Sequence, residues 1–217
     1  MLEPIQGEGG VNCPSEGYLK GLREICDKKG ILLIFDEVQV GMGRTGRLFA
    51  YEHEGIEPDM MTLAKSLAGG VPIGALLIKK DIAESFKPGD HASTFGGNPL
   101  TAAAGVAALT ALLEEGMLEN CRKVGSCFFS KLEEVKEKFS FVQEVRGKGL
   151  ILGMELKMDG TSIVKEMMQR GFLINCTMGN VLRFLPALIV TREEVDQLVE
   201  ALEEVFKGIS QLRNADC

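Results

Sequence analysis

The sequence has no tryptophan, only two tyrosines and two histidines, and no cysteine pair at C-x-x-C spacing. Its six cysteines (Cys13, Cys26, Cys121, Cys127, Cys176 and Cys217) have only His53 and His91 beside them. Local sequence therefore assembles no zinc site, and no metal is expected. Basic clusters are missing too: 24 Lys and Arg stand against 31 Asp and Glu, a formal net charge of −7. Neutralising phosphates is the main source of nucleic-acid affinity, so no nucleic-acid partner is expected. No apolar run approaches the roughly 20 residues of a membrane span. The longest, residues 101–113, is short and Ala-rich, so no membrane partner is expected either. The N-terminus, MLEPIQGEGG, lacks the basic region and apolar core of a secretory signal. Without such a signal a chain this long is not expected to rest on disulfides. The cysteines read as reduced thiols, most of them buried as small apolar residues. The expected compartment is the cytoplasm; an organelle matrix would leave the same mature sequence.

What remains is an ordinary globular balance, 45% apolar and 25% charged over 217 residues, enough for one large domain or two small ones. After Pro14 and Ser15, the residues Leu19, Leu22 and Ile25 recur at helical spacing, and the segment stops at Gly30 behind Lys28 and Lys29. The run ILLIF (31–35) is that of a strand covered on both faces, and it ends in Asp36 and Glu37. A Gly-rich turn, GMGRTGR, follows. Residues 59–64 and 73–78 read as two more short buried strands. From Asn98 an Ala-rich packed helix is expected, then a helix with Leu118, Cys121, Val124, Phe128, Leu132 and Val135 on one face. Strands are predicted over 141–145, 150–156, 172–175 and 181–184, with a helix over 161–170. A last helix opens on the capping box Thr191–Glu194. The predicted organisation is an α/β part over 1–114 and a small α+β domain over 115–217.

Two features could carry chemistry. An acidic pair at a strand end, Asp36-Glu37, can hold magnesium in nucleotide hydrolases, and GMGRTGR superficially resembles a phosphate loop. That loop needs Lys and a hydroxyl after its last glycine. Arg47 and Leu48 stand there instead, and Asp36 reads equally well as a cap or turn residue. The second feature is Lys65 in TLAKSLAGG. Set between apolar residues, a lysine gives up its proton readily and becomes a nucleophilic amine. The alternative is a surface lysine at a helix start.

Taken together, residues 3–10 (EPIQGEGG), 32–46 (LLIFDEVQVGMGRTG), 62–75 (TLAKSLAGGVPIGA), 91–100 (HASTFGGNPL) and 145–156 (VRGKGLILGMEL) resemble the class III pyridoxal-phosphate aminotransferases, in that family's order and spacing. Residues 173–191 (LINCTMGNVLRFLPALIVT) are most similar to its acetylornithine aminotransferase branch. The resemblance implies a fold-type I α/β architecture: part of a large, mostly parallel-sheet cofactor domain, followed by a small C-terminal α+β domain. It implies pyridoxal 5′-phosphate as cofactor, N-acetylornithine and 2-oxoglutarate as substrates in arginine biosynthesis, and a homodimer. Lys65 would bond to the cofactor aldehyde and later move the substrate proton. Asp36 would keep the pyridine nitrogen protonated. Val38 would pack on the ring, Gln39 would hydrogen-bond its hydroxyl, and Thr94 would reach the phosphate of the neighbouring subunit. Arg183 would clamp a substrate carboxylate with its planar fork, and Glu8 would pair with an active-site arginine and switch between substrates. Gly41, Gly43 and Gly46 are expected to form turns.

The match starts partway into the family's sequence. Its phosphate-cupping Gly-rich turn, its ring-stacking aromatic and its distal-carboxylate arginine have no counterpart here, where Tyr18 and Tyr51 are the only tyrosines. The expectations are therefore a transaminase by descent or, alternatively, a catalytically silent fragment or pseudo-enzyme. A magnesium nucleotide hydrolase is the third, weaker reading.

Overall fold

The computed structural model describes residues 1–215. It divides the chain into two compact units: residues 1–5 with 14–118, and residues 6–13 with the chain from 119 onward. The sequence boundary at 114/115 thus lies four residues before the structural one, and a short N-terminal segment belongs with the second unit.

In the first unit, helix α1 (Tyr18–Lys29) ends where Gly30 takes φ 65°, with Lys28 and Lys29 in its last turn. A residue without Cβ adopts this left-handed conformation at little cost, and the cations complement the carbonyl end of the helix. Leu19 and Cys26 pack with Leu33 and Phe35 in one cluster. Strand β1 (Ile34–Asp36) pairs parallel with β2 (Met60–Leu63), and β2 pairs antiparallel with β3 (Ala75–Ile78). Asp59 fastens the amino-terminal side of this sheet. Its carboxylate accepts the Leu33 N–H at 2.7 Å and meets Arg23 at 2.8 Å and Lys79 at 3.1 Å.

Three apolar stretches are less covered than their sequence predicts. The ILLIF run is strand only from Ile34, and Ile31 and Leu32 are exposed. In β3, Leu76 and Leu77 are exposed as well, because β3 pairs on one side only within the three-stranded sheet. Helix α2 (Lys80–Ala83) is a single turn. Helix α3 (Pro99–Glu114) starts well, with Pro99 in its first turn and the Asn98 side chain accepting the Thr101 N–H at 3.1 Å. Yet it buries only Thr101 and Leu112, while Leu100, Val106 and Leu113 remain 76%, 68% and 52% exposed. A helix apolar on every side is normally enclosed.

The second unit holds the larger core. Helix α4 (Met117–Lys138) buries the predicted stripe from Cys121 to Val135, together with Gly125. A Cβ on Gly125 would lie 2.3 Å from the Gly149 carbonyl oxygen, so only glycine permits this approach. Strands β4 (Val142–Lys148), β5 (Ile151–Leu156), β6 (Asn175–Thr177) and β7 (Val181–Phe184) form an antiparallel sheet in the order β4-β5-β7-β6. Helices α5 (Thr161–Gln169) and α6 (Arg192–Ala215) belong to the same unit. The predicted strand over 172–175 starts later, at Asn175, because the Phe172 N–H bonds Met167 and completes the exit from α5. The capping box is formed: Glu194 accepts the Thr191 N–H at 2.8 Å, and Thr191 Oγ1 accepts the Glu194 N–H at 3.2 Å.

All five described cysteines are free thiols, but only Cys26 and Cys121 are buried; Cys217 lies outside the described residues. Among the described residues no single helix is long and apolar enough to cross a membrane.

Candidate active site

Asp36 is the last residue of β1 and stands opposite Thr62 of β2 in parallel register. Lys65 follows the end of β2 by two residues. Both residues thus emerge at the carboxyl ends of adjacent parallel strands, where α/β sheets bind ligands. Lys65 has φ 50°, a left-handed value that costs a non-glycine residue energy and is held here at the start of a 3₁₀ turn (Lys65–Ala68) closed by Gly69. Its side chain is exposed, so the apolar enclosure expected from TLAKSLAGG is not formed by the described residues. Asp36 is half-buried and its Oδ1 accepts the Val38 N–H at 3.0 Å, which fixes the carboxylate at the strand end. The Thr62 hydroxyl on the neighbouring strand is buried and without a hydrogen-bond partner.

Val38 and Gln39 sit half-buried in the turn after Asp36. The glycines of that turn are turn formers, as expected. Gly43 and Gly46 have positive φ, and a Cβ on Gly41 would meet the Glu37 carbonyl oxygen at 2.8 Å. Thr94 lies in an exposed turn ahead of α3.

Glu37 corrects one reading. Its side chain turns away into the core, 1% exposed, where it accepts the N–H groups of Ala50 at 2.9 Å and Tyr51 at 3.0 Å. It therefore caps the 3₁₀ turn Ala50–His53. Burial raises its pKa to about 7, against the opposing pull of those two N–H bonds. Strand alternation sends the two acids to opposite faces, and no group of His, Cys, Asp and Glu among the described residues could hold a metal. The magnesium-hydrolase reading finds no site among the described residues.

In the second unit, Arg183 of β7 has a side chain only 9% exposed. Its Nη1 meets Glu8 at 2.8 Å, and its Nε donates to Asn175 Oδ1 at 3.2 Å. Glu8 and Arg183, 175 residues apart, are thus one ion pair, and the arginine that Glu8 engages is Arg183 itself. The Glu8 side chain is 71% exposed.

The family model for aminotransferase class-III matches residues 1–206. The chain belongs to the class-III aminotransferase family. It is 54% identical over 211 residues to an acetylornithine aminotransferase of Methanocaldococcus jannaschii, covering 97% of this chain and 53% of that one. A solved ornithine aminotransferase from Toxoplasma gondii, with partial occupancy of PLP at its active site, superposes with a TM-score of 0.93 at 41% identity, covering 98% of this chain and 51% of that one. For the acetylornithine aminotransferase of Elizabethkingia anophelis the TM-score is 0.90 at 40% identity, covering 95% and 56%. The fold is that of these aminotransferases. The chain spans about half the length of the relatives it matches.

Several residues that build these class-III strand ends drew no attention in the sequence. Glu37 looked like half of an acidic pair, and Asp59 like a strand start. Asn175, Thr177 and Arg146 carried no local signal, because their partners lie far away in sequence. Arg146 stands inside VRGKGL, and Asn175 and Thr177 inside residues 173–191, yet those segments do not name their distant partners.

Proposed function

We propose that the chain carries the cofactor-binding and carboxylate-binding portions of a pyridoxal-phosphate-dependent aminotransferase that moves an amino group between N-acetylornithine, or a related ω-amino acid, and 2-oxoglutarate. The observation that carries this reading is the placement of a carboxylate, Asp36, and an amine, Lys65, at the carboxyl ends of neighbouring parallel strands. The donor set fits the cofactor's ring and aldehyde, and the unpartnered Thr62 hydroxyl marks the same strand end as built for a polar ligand. Asp36 would hold the ring nitrogen, Lys65 the aldehyde carbon, Gln39 the ring hydroxyl and Val38 a ring face, with Thr94 reaching the phosphate held by a second copy. When bound, that group supplies an electron sink for the substrate's α-carbon.

The chain's own residues divide the remaining tasks. Asp36, as a carboxylate, keeps the proton on the ring nitrogen. The Lys65 amine takes the α-proton and returns it, as a positioned general base and acid does. Arg183 presents two parallel N–H groups to a substrate carboxylate. Glu8 occupies Arg183 between substrates. Because Glu8 is largely in water, the pair is worth only about 0–1 kcal/mol, and an incoming carboxylate displaces it easily. The acetylornithine aminotransferases among the relatives, at 54%, 52% and 48% identity, support the N-acetylated substrate and a place in arginine biosynthesis. The exposed apolar side chains of α3 support a homodimer, and the five free thiols among the described residues suit a reducing compartment such as the cytoplasm.

Exposed Leu76, Leu77 and α3 also favour a second reading, in which the isolated chain binds cofactor weakly and turns nothing over. The test is borohydride reduction of the chain with pyridoxal phosphate, followed by peptide mass mapping. Cofactor mass on the peptide containing Lys65, absent in Lys65→Ala, is expected. Equal labelling of the variant would remove Lys65 from its role. Turnover of N-acetylornithine with 2-oxoglutarate by this chain alone would overturn the silent reading.

A further inference from the structure

Residues 6–13 belong to the second unit although they lie more than a hundred residues from it in sequence. They form a tight loop in which Gln6 and Asn12 exchange backbone hydrogen bonds, both 3.0 Å. At its base Val11 is fully buried with φ 53°. A β-branched residue in the left-handed region is strained, and such strain persists only where the surroundings over-determine it. Three contacts from the second unit do so. Val11 packs against Gly153, where a Cβ would lie 2.9 Å from the Val11 Cβ. The Thr177 hydroxyl donates to the backbone carbonyl of Glu8. The Arg146 guanidinium donates twice to the Gly10 carbonyl, from Nη2 at 2.8 Å and Nε at 3.0 Å.

Arg146 is itself held. Its Nη1 is shared between Glu144, at 2.7 Å, and Glu155, and its side chain is only 13% exposed. It sits on β4, whose hairpin with β5 is fixed by two glycines. Gly147 has φ 135°, and a Cβ there would fall 2.1 Å from the Ile151 carbonyl oxygen; Gly149 meets Gly125 of α4. These requirements explain the VRGKGL motif. Val145 and Leu150 anchor the hairpin in the core, the glycines allow its close approach, and Arg146 faces the loop.

We infer that Arg146 is a positioning residue for substrate exchange: by gripping the Gly10 carbonyl, with Thr177 gripping that of Glu8, it holds the Glu8 carboxylate against Arg183 and so sets how strongly an incoming carboxylate must compete. The inference rests on the reading of Arg183 as the substrate-carboxylate ligand. Gly10 is two residues from Glu8, and the loop's anchors lie on both sides of it. Released from them, Glu8 gains the freedom of a mobile loop, and its weak, exposed pair with Arg183 no longer survives the entropy of ordering.

The test measures binding of glutarate, an unreactive dicarboxylate, to the full chain and its variants by calorimetry, alongside hydrogen exchange of a peptide spanning residues 6–13. Arg146→Lys keeps a cation for Glu144 and Glu155 but loses the fork on Gly10; Thr177→Val removes only the hydroxyl donor. Glu8→Gln, Arg146→Lys and Thr177→Val should each tighten glutarate binding, by about two- to fivefold, the range a half-exposed ion pair allows. The double variant Glu8→Gln/Arg146→Lys should bind no more tightly than Glu8→Gln alone. Exchange should rise in 6–13 for Arg146→Lys while α4 and α6 keep their protection. Tightening in Glu8→Gln, with wild-type binding in both Arg146→Lys and Thr177→Val, would overturn the inference. So would additive effects in the double variant, or unchanged exchange. If Arg183→Met binds glutarate as the wild type does, the carboxylate site assigned to Arg183 is wrong and the inference falls with it. That result is separable, because it appears without any change at Arg146.

Discussion

Adjacent carboxyls at the end of β1 have opposite fates. Asp36 stands at the strand end beside Thr62, and Glu37 is buried beneath the turn it caps. Glu37 is therefore the group with a pH signature. Its folded pKa, about 7 through burial, lies above the ordinary 4.5 of the unfolded chain. The folded state thus binds more protons than the unfolded one between those values, and the stability Glu37 contributes is full below about pH 4.5 and lost as pH rises through 7. Urea denaturation of the full chain should show stability falling across that window, and Glu37→Gln should flatten the fall. An identical slope in the variant would show that some other group titrates there. Nothing in the sequence separated the two acids except alternation along the strand, which becomes decisive only once the core lies on one known side. Of the two sequence readings of Lys65, the structure gives the exposed side chain at the start of a helical turn, whereas its left-handed backbone was not legible, since it depends on how the 3₁₀ turn leaves β2.

Elements declare themselves where their ends carry local chemistry. Gly30 closing α1, Asn98 and Pro99 opening α3, and Thr191 with Glu194 opening α6 are all satisfied by residues within a few positions, and each was readable in advance. Strand edges are different. The run ILLIF shows apolar character but not what covers it, so β1 proved shorter and more exposed than its composition promised. The junction of α1, β1, β2 and β3 at Asp59 was invisible for the same reason. Burial would raise that carboxyl's pKa, but the Leu33 N–H and the Arg23 and Lys79 cations outweigh it and hold the group at about 2. Asp59→Ala strands a buried N–H and a nearly buried guanidinium, and should cost about 3 kcal/mol in urea denaturation. In the wild type the contribution of Asp59 is present above the ordinary carboxylate value of 3.8 and is lost as pH falls through about 2. A loss no larger than that of a surface substitution would show that the junction does not tie the sheet.

At the scale of the whole molecule, the two units differ in how completely they enclose themselves. The second buries a continuous core running from Cys121 to Phe206. The first leaves Leu76, Leu77, Phe95, Leu100, Val106 and Leu113 to solvent. Apolar surface gathered on one helix and one strand marks a place of association. The isolated chain should therefore self-associate in sedimentation velocity, and Val106→Glu with Leu113→Glu, one helical face seven residues apart, should shift it toward monomer without lowering its helix content. An unchanged sedimentation profile in the double variant would remove α3 from the contact.

The sequence alone determined the family, the order of the elements and the residues at the strand ends, because caps, glycines and the Asp-Glu-Val-Gln and Lys65 motifs act over short distances. Only the tertiary structure decided that Glu37 is a buried cap, that Asp59 joins four elements, and that Glu8, Gly10, Arg146, Thr177 and Arg183 meet. Those facts depend on contacts between residues up to 175 positions apart, and chain closure over such lengths leaves no trace in local sequence.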